Sequence, residues 1–246
     1  MLSPSVVIHS LGPIDAKSVM RDNLLRWMII TPIALALSAR WGVPFLTAWL
    51  SERFGFDLTP YYTLLTSFLV LTVPSLVGAV VGFLLLDQRD DRTLTALQVT
   101  PLTVEGYLLY RTAIPLVLSV AMTTVMIALS GLVTMGLLPA LLASLQAAPV
   151  APLYALFVAA FAANKVQGFA LLKAAGGLAW PPLLAYFVSS HWQLAFGIDP
   201  LYWPVKVFWM LEAGDAGVWL YYLGGLAYQA GLIVLLLRRF KDVISR

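Results

Sequence analysis

Long apolar runs separated by short polar stretches dominate the chain. A helix needs about 20 mainly apolar residues to cross a bilayer, and a run of this length without charges is typical of a transmembrane helix. The third run is long enough for two crossings that turn near Gly136. The pattern therefore predicts an all-α polytopic membrane protein with six transmembrane helices, formed by the runs at 24–39, 61–86, 107–161, 169–188 and 217–237.

The polar stretches between these runs predict further elements. Residues 15–27 alternate charged and apolar side chains at helical spacing, which is typical of an amphipathic helix lying in the membrane surface. Arg40 and Trp41 are expected at the bilayer interface, where the first run ends. After them we expect a polar, aromatic-rich loop that contains Trp49, Glu52, Arg53, Asp57 and Pro60.

The last third of the chain carries two interruptions of the apolar pattern. Pro181 and Pro182 remove two backbone donors, so the fifth helix is predicted to be broken. Residues 189–215 carry six aromatic residues and few charges, which favours re-entrant or interfacial helices before the last span. Such backbone is tolerated at membrane depth only where protein covers it.

Composition supports a membrane protein and excludes several other classes. Only 11% of residues are charged and 61% are hydrophobic, whereas about a quarter are charged in a soluble domain. We expect one transmembrane domain over residues 1–246, with no nucleotide-binding domain.

No cysteine is present, and His9 and His191 lie far apart, so no metal site is expected. Lys and Arg exceed Asp and Glu by 15 − 12 = 3 without a basic stretch, so no nucleic-acid partner is expected.

The distribution of basic residues predicts the orientation. Cytoplasmic loops of membrane proteins carry the excess of Lys and Arg. With six crossings, Arg40, Arg53 and Lys206 lie on one side of the membrane. Twelve basic residues lie on the side of both termini, which predicts cytoplasmic termini: Lys17, Arg21, Arg26, Arg89, Arg92, Arg111, Lys165, Lys173, Arg238, Arg239, Lys241 and Arg246.

Motifs for chemistry on a substrate are missing. The sequence contains no phosphate-binding loop, serine elbow or zinc-protease motif, so we expect no catalytic residue and no ATPase activity in this chain. Every charge is expected at or near the end of a span, which disfavours a transporter driven by protons or sodium. Gly78 and Gly82 form a G-x-x-x-G pattern that predicts close helix packing. Candidate faces for dimerisation are the first span and the paired small residues of the second and last spans, including these two glycines.

The most informative segment follows the second run. Leu94 and Leu97 form an apolar stripe on a short predicted helix that ends before Pro101. Thr103 is a good N-cap and Glu105 suits the first turn of the third span. A solvated loop would explain the charges that precede the helix, but it would not explain its apolar side. We therefore favour a docking element for another protein.

This segment resembles the coupling region in permease subunits of type 2 ABC exporters. The shared pattern is a charged cluster, a T-L-x-A-L-x-x-T-P-L stretch and a glutamate before the third span. Position 92 departs from it, with Arg92 where relatives commonly have glycine. The matching residues are Arg89, Asp90, Asp91, Thr93, Leu94, Ala96, Leu97, Thr100, Pro101, Leu102 and Glu105.

A second stretch resembles the same family. Asn164 and Lys165 begin a turn similar to the family's N-K-x-x-G-F turn before the fifth span, with Lys173 following in that span. The resemblance covers the whole six-span layout and is strongest to small permeases of the fluoroquinolone-export type, partly through residues 200–206.

The resemblance implies an export mechanism. Two permease chains, identical or homologous, would assemble in the inner membrane of a bacterium with two separate ATP-binding subunits, which hold ATP and Mg²⁺. Residues 93–102 would be the coupling helix, seated in a groove of the ATPase. The cargo would be apolar or amphipathic, either drug-like or lipid-like, and transport would need different affinities for it in the inward-facing and outward-facing states.

A second class of function fits much of the same pattern. Aromatic residues near the membrane interface and an excess of basic residues on one side serve equally well in a membrane scaffold or in a lipid-modifying membrane enzyme. Only the docking segment and the re-entrant element favour the exporter. Co-purification of an ATPase with this chain would distinguish the two classes.

Single cysteines in this cysteine-free chain test the orientation. Cysteines at Ser51 and Ala213 are expected to react from outside with a membrane-impermeant maleimide. Cysteines at Gln88 and Gln167 are expected to react only after the cells are opened. Labelling of position 88 or 167 in intact cells would contradict the six-span arrangement with cytoplasmic termini.

Overall fold

The computed structural model describes residues 4–90, 104–188 and 191–244, and helices make up most of these ranges. Three short 3₁₀ helices, at Thr59–Tyr61, Ala185–Phe187 and His191–Ile198, connect the longer elements. The α-helices are α1 Pro4–Arg21, α2 Asn23–Phe54, α3 Tyr62–Asp90, α4 Val104–Ser130, α5 Leu137–Ala147, α6 Val150–Phe161, α7 Lys165–Gly177, α8 Trp180–Leu184, α9 Tyr202–Glu212 and α10 Val218–Ile244.

Six helical stretches are long and apolar enough to cross a membrane, which confirms the predicted number of spans. Successive spans run in opposite directions, so both ends of the described chain lie on one face of the bundle. We call this face the terminal face and the other the opposite face. From first to sixth, the spans are Asn23–Phe54, Thr59–Arg89, Leu109–Ser130, Leu137–Phe161, Lys165–Phe187 and Val218–Val243.

The second span forms the centre of the bundle and packs against α6 at very short range. A Cβ atom at Gly78 would meet the Ala151 carbonyl oxygen and would lie 2.8 Å from the Tyr154 Cβ. A Cβ atom at Gly82 would lie 3.0 Å from the Val158 Cβ. Close packing at the two glycines is thus confirmed, but it occurs within one chain. The suggestion that they form a dimerisation face is wrong because α6 already covers them.

The first span differs from its prediction at both ends. Asp22 caps α2 by accepting hydrogen bonds from the backbone amides of Leu24 and Leu25, so the surface helix ends at Arg21. Residues 26 and 27 therefore belong to the span. At the other end α2 continues to Phe54 and stops at Gly55, which has φ +65°.

The loop predicted after Arg40 is therefore wrong over most of its length. Trp49, Glu52 and Arg53 lie within α2, because the helix continues through Pro44 and ends only at Gly55. The Arg40 guanidinium donates to the Leu129 carbonyl oxygen at the end of the third span, 3.2 Å away. Arg40 thus lies near the opposite face, as predicted for a residue at the bilayer interface.

Two spans are broken. The fifth consists of α7 and α8 with a turn between them, and Pro181 is at the start of α8, which confirms the break predicted there. The fourth span is also divided, into α5 and α6 at Ala148 and Pro149, and this break was not predicted. Pro149 precedes α6, where its missing amide donor costs no helical hydrogen bond.

The segment before the last span is a re-entrant element. The 3₁₀ helix 191–198 leads to a tip at Asp199, and α9 returns antiparallel to α10. Trp203 packs against Gly225, and the Gln229 side-chain amide donates to the Pro200 carbonyl oxygen, 3.1 Å away. Gln229 lies eleven residues beyond Val218, so the tip is about 16 Å deep along α10.

One expectation about charges is corrected by this geometry. Asp199 lies at the tip, about midway through a hydrocarbon layer of about 30 Å, and not near the end of a span. The sequence did not place this charge at depth because residues 189–215 contain no uninterrupted apolar run. Their position follows from packing against α5 and α10.

Gly78→Ile is expected to destabilise the bundle strongly. Its side chain would collide with the backbone of α6, and over-packing of this kind costs about 1–3 kcal/mol or more. Gly231→Ile is the matched control, since Gly231 also lies in a transmembrane helix but its Cβ position has no neighbour within 4 Å in the described part of the chain. The measurement is the melting temperature of each purified variant in detergent. Equal melting temperatures would contradict the close approach of the second span and α6.

Candidate functional site

Polar side chains on the terminal face gather around the two ends of segment 91–103. Helix α3 ends at Asp90 and α4 begins at Val104, so both helices lead directly into this segment. The side chains of Asp90 and Glu105 are not described. The other predicted coupling residues between the two helices lie outside the described residues: Asp91, Thr93, Leu94, Ala96, Leu97, Thr100, Pro101 and Leu102.

A hydrogen bond joins the two ends of the segment. The Tyr107 hydroxyl donates to Gln88 Oε1 over 2.6 Å, and it accepts a hydrogen bond from Arg111 Nε at 3.3 Å. Burial raises the pKa of Tyr107, which keeps the phenol protonated and able to donate. We call Gln88, Tyr107, Arg111 and Asp15 the clasp, because together they hold α3, α4 and α1 at the base of the segment.

Within the clasp, the Asp15–Arg111 pair links α4 to the surface helix α1. Two Arg111 nitrogens bind the two Asp15 carboxylate oxygens at 2.8 and 3.0 Å, and the Tyr110 hydroxyl donates to Asp15 at 2.9 Å. The guanidinium carbon also lies 5.4 Å from the ring centres of Tyr107 and Tyr110. Arg111 is only 3% exposed. The bidentate hydrogen bonds to Asp15 and the two aromatic rings thus compensate the cost of burying the Arg111 charge.

A second charged cluster lies where the first, second and fifth spans meet the terminal face. Lys165 Nζ is 3.1 Å from Asp22 and 3.0 Å from Asp87. Burial raises the pKa of Asp22, but hydrogen bonds from Lys165 and from the backbone amides of Leu25 and Leu24 outweigh it and lower the pKa. Asp22 therefore stays ionised at neutral pH, and the cluster holds the start of α7 against the other two spans.

The predicted turn residues Asn164 and Lys165 are both used within the chain. Asn164 caps α7, since its side-chain oxygen accepts a hydrogen bond from the Gln167 amide at 3.0 Å. Lys165 forms the cluster just described. The structure therefore gives both residues a role in positioning the fifth span at the terminal face.

Arg89 binds the end of the fourth span. Its guanidinium donates to the carbonyl oxygens of Ala159, Ala162 and Ala163 at 3.3, 2.7 and 2.8 Å. The last carbonyl groups of a helix have no intrahelical partner, so this contact satisfies groups that would otherwise be unpaired. Among the residues matched to the coupling pattern, Arg89 thus connects the base of segment 91–103 to α6.

Sequence reasoning missed most of these contacts. One signal was available, because Arg111 is a lone charge in a long apolar stretch, and a buried charge needs a partner. The partner could not be identified, since it lies almost a hundred positions away in the surface helix. The missed residues are Asp15, Asp22, Asp87, Gln88, Tyr107 and Tyr110.

Comparison with known proteins decides the family. A family model described as "Fluoroquinolones export permease protein Rv2686c-like" matches residues 15–237. The chain belongs to this family. The matched region begins at Asp15 and includes the clasp, segment 91–103 and all but the end of the sixth span.

Two curated members of the family are similar over nearly their whole length. They are the fluoroquinolones export permease proteins MT2760 and Rv2686c of Mycobacterium tuberculosis, from strains CDC 1551 / Oshkosh and ATCC 25618 / H37Rv. Each is 39% identical to this chain over 238 residues, which cover 95% of this chain and 94% of the relative. No solved structure matches the chain.

Removing one partner of the clasp's ion pair is expected to loosen the surface helix. Asp15→Ala leaves the Arg111 charge buried without its carboxylate, which costs about 3–5 kcal/mol. We expect a lower melting temperature and faster proteolysis near α1. The double variant Asp15→Ala with Arg111→Met should recover part of the loss, because no unpaired charge remains. Unchanged stability of Asp15→Ala would contradict a buried ion pair at this position.

Proposed function

We propose that this chain is the permease subunit of an ATP-driven exporter that moves apolar or amphipathic small molecules out of the cell. Membership of a family described as export permeases supports this function, and both curated relatives are named for fluoroquinolones export. Six spans and a re-entrant element provide a transmembrane body. Drug-like or lipid-like cargo fits a bundle whose interior is mostly apolar.

ATP hydrolysis takes place on a separate subunit in this proposal. The sequence contains no phosphate-binding loop, so ATP and Mg²⁺ bind to the partner ATPase. Two permease chains, the same or homologous, form the transport body. The terminal face is cytoplasmic, as twelve basic residues on that side indicate, and the protein lies in the inner membrane of a bacterium.

Residues 93–102 carry the movement of the ATPase to the spans. The observation that carries this assignment is the hydrogen bond between Tyr107 and Gln88 at the base of the segment. Because it joins the second span to the third, a displacement of the docked segment moves both spans as one unit. Arg111 and Asp15 extend the connection to α1, and Arg89 extends it to the fourth span.

Leu94→Asp with Leu97→Asp is expected to release the ATPase. On the predicted helix both leucines fill a pocket of the partner, and each contributes about 1.5–3 kcal/mol if fully buried. Carboxylates at these positions would be buried without partners, which lowers the population of docked complex more than a hundredfold. The measurements are the amount of ATPase that co-purifies and the ATP hydrolysis that cargo stimulates.

Thr95→Asp with Val99→Asp is the matched control for charge. On a helix these positions lie on the side away from Leu94 and Leu97, so the ATPase should remain bound. Both double variants should insert normally, since the segment lies outside every span. Normal ATPase binding and hydrolysis in the leucine variant would overturn the coupling assignment. Absence of a co-purifying ATPase from the parent chain would favour the scaffold or lipid-modifying enzyme.

A further inference from the structure

Polar groups form a layer in the middle of the helix bundle. The Tyr154 hydroxyl donates to the Ala175 carbonyl oxygen over 3.2 Å, close to the break in the fifth span. Gln146 of the fourth span and Gln229 of the sixth are in contact at 3.5 Å, and Gln229 also binds Pro200 at the re-entrant tip. Both glutamines are fully buried. Polar groups are costly at this depth and commonly mark a pathway.

Asp199 supplies the negative charge of this layer. One carboxylate oxygen accepts a hydrogen bond from the Leu201 amide at 2.9 Å, which shapes the turn into α9. The other oxygen, Oδ2, is buried and makes no hydrogen bond within the described chain.

The turn alone does not require a carboxylate. Asparagine or serine at position 199 would offer the same single acceptor to the Leu201 amide. A neutral residue would also avoid the cost of holding a charge at membrane depth. The second oxygen and the charge of Asp199 therefore need another explanation.

Basic side chains in the described parts of the chain do not neutralise Asp199. The described ion pairs involve other carboxylates. Lys206 is the basic residue of α9, but it donates to Gln193 at 2.7 Å and lies over the Tyr221 ring at 5.3 Å. Two further oxygens near the tip, Gln146 Oε1 and the Tyr202 hydroxyl, are buried without a hydrogen-bond partner among the described residues. The layer thus combines one negative charge with unpaired oxygens.

We propose that Asp199 is a recognition residue for the positively charged ammonium group of an amphipathic cargo. The inference rests on the proposed export function and adds the charge of the cargo to it. An unpaired carboxylate attracts a cation strongly in a low-dielectric layer. The apolar part of the cargo lies along the surrounding helices.

A charged probe and its neutral isostere test the proposal directly. An arylalkyl trimethylammonium compound keeps its charge at every pH, and the same molecule with a tert-butyl end has equal shape and no charge. Binding of each is measured with the purified full-length chain in lipid nanodiscs, with empty nanodiscs as the blank. Asp199→Asn should weaken binding of the ammonium probe about tenfold, equivalent to about 1.4 kcal/mol, and leave the isostere unchanged.

Asp215→Asn is the matched control. Asp215 forms the same kind of turn, accepting a hydrogen bond from the Gly217 amide at 2.8 Å, but it is exposed. Removing its charge should affect neither probe. Asp199→Ser is a second variant that keeps an acceptor without charge, and it should reproduce the effect if Asp199→Asn does not insert.

Three outcomes overturn the proposal. They are unchanged binding of the ammonium probe in the Asp199 variants, equal weakening of both probes, and no preference for the ammonium probe in the parent chain. Export of both probes from cells that contain the ATPase is measured separately. A parent chain that exports both probes but does not prefer the ammonium probe contradicts only the ammonium site, whereas bound but unexported probes contradict only the export function.

Discussion

The close approach of the second span to α6 is the contact on which the rest of the bundle depends. Gly78 and Gly82 let the two backbones meet where any larger side chain would collide with α6. In lipid the hydrophobic effect gives little drive for helices to associate, so such close packing supplies much of the attraction. The second span, mostly buried, then provides the surface against which the first, third and fifth spans and the re-entrant element are placed.

Polar contacts organise the two ends and the middle of this bundle differently. On the terminal face the charges are paired, through Asp15 with Arg111 and through Lys165 with two carboxylates. These pairs fix the base of segment 91–103 and connect it to several spans. At the re-entrant tip the carboxylate of Asp199 has no described cationic partner. Paired charges suit a part that transmits movement as one body, whereas an unpaired charge suits recognition.

The proposed export mechanism connects the paired charges at the base of segment 91–103 with the unpaired charge of Asp199 at the re-entrant tip. A partner that moves segment 91–103 also displaces the second and third spans, because Tyr107 and Gln88 join them. The second span reaches the re-entrant element on the opposite side of the bundle, where Ser67 accepts a hydrogen bond from the Trp209 side chain at 2.6 Å. In this proposal, a movement of the second span reaches the re-entrant element through this contact with α9.

The sequence by itself determined the class, the number of spans and the break at Pro181 and Pro182, because apolar length and proline chemistry are local properties of the chain. The resemblance of residues 89–105 to a coupling region was also visible there. Only the tertiary structure decided which charges meet. The partner of Arg111 lies in a distant surface helix, Gly78 faces α6 and not a second chain, and Asp199 is carried to the middle of the membrane by helix packing. Contacts between residues far apart in the chain depend on how helices pack, and periodicity along the sequence does not encode that arrangement.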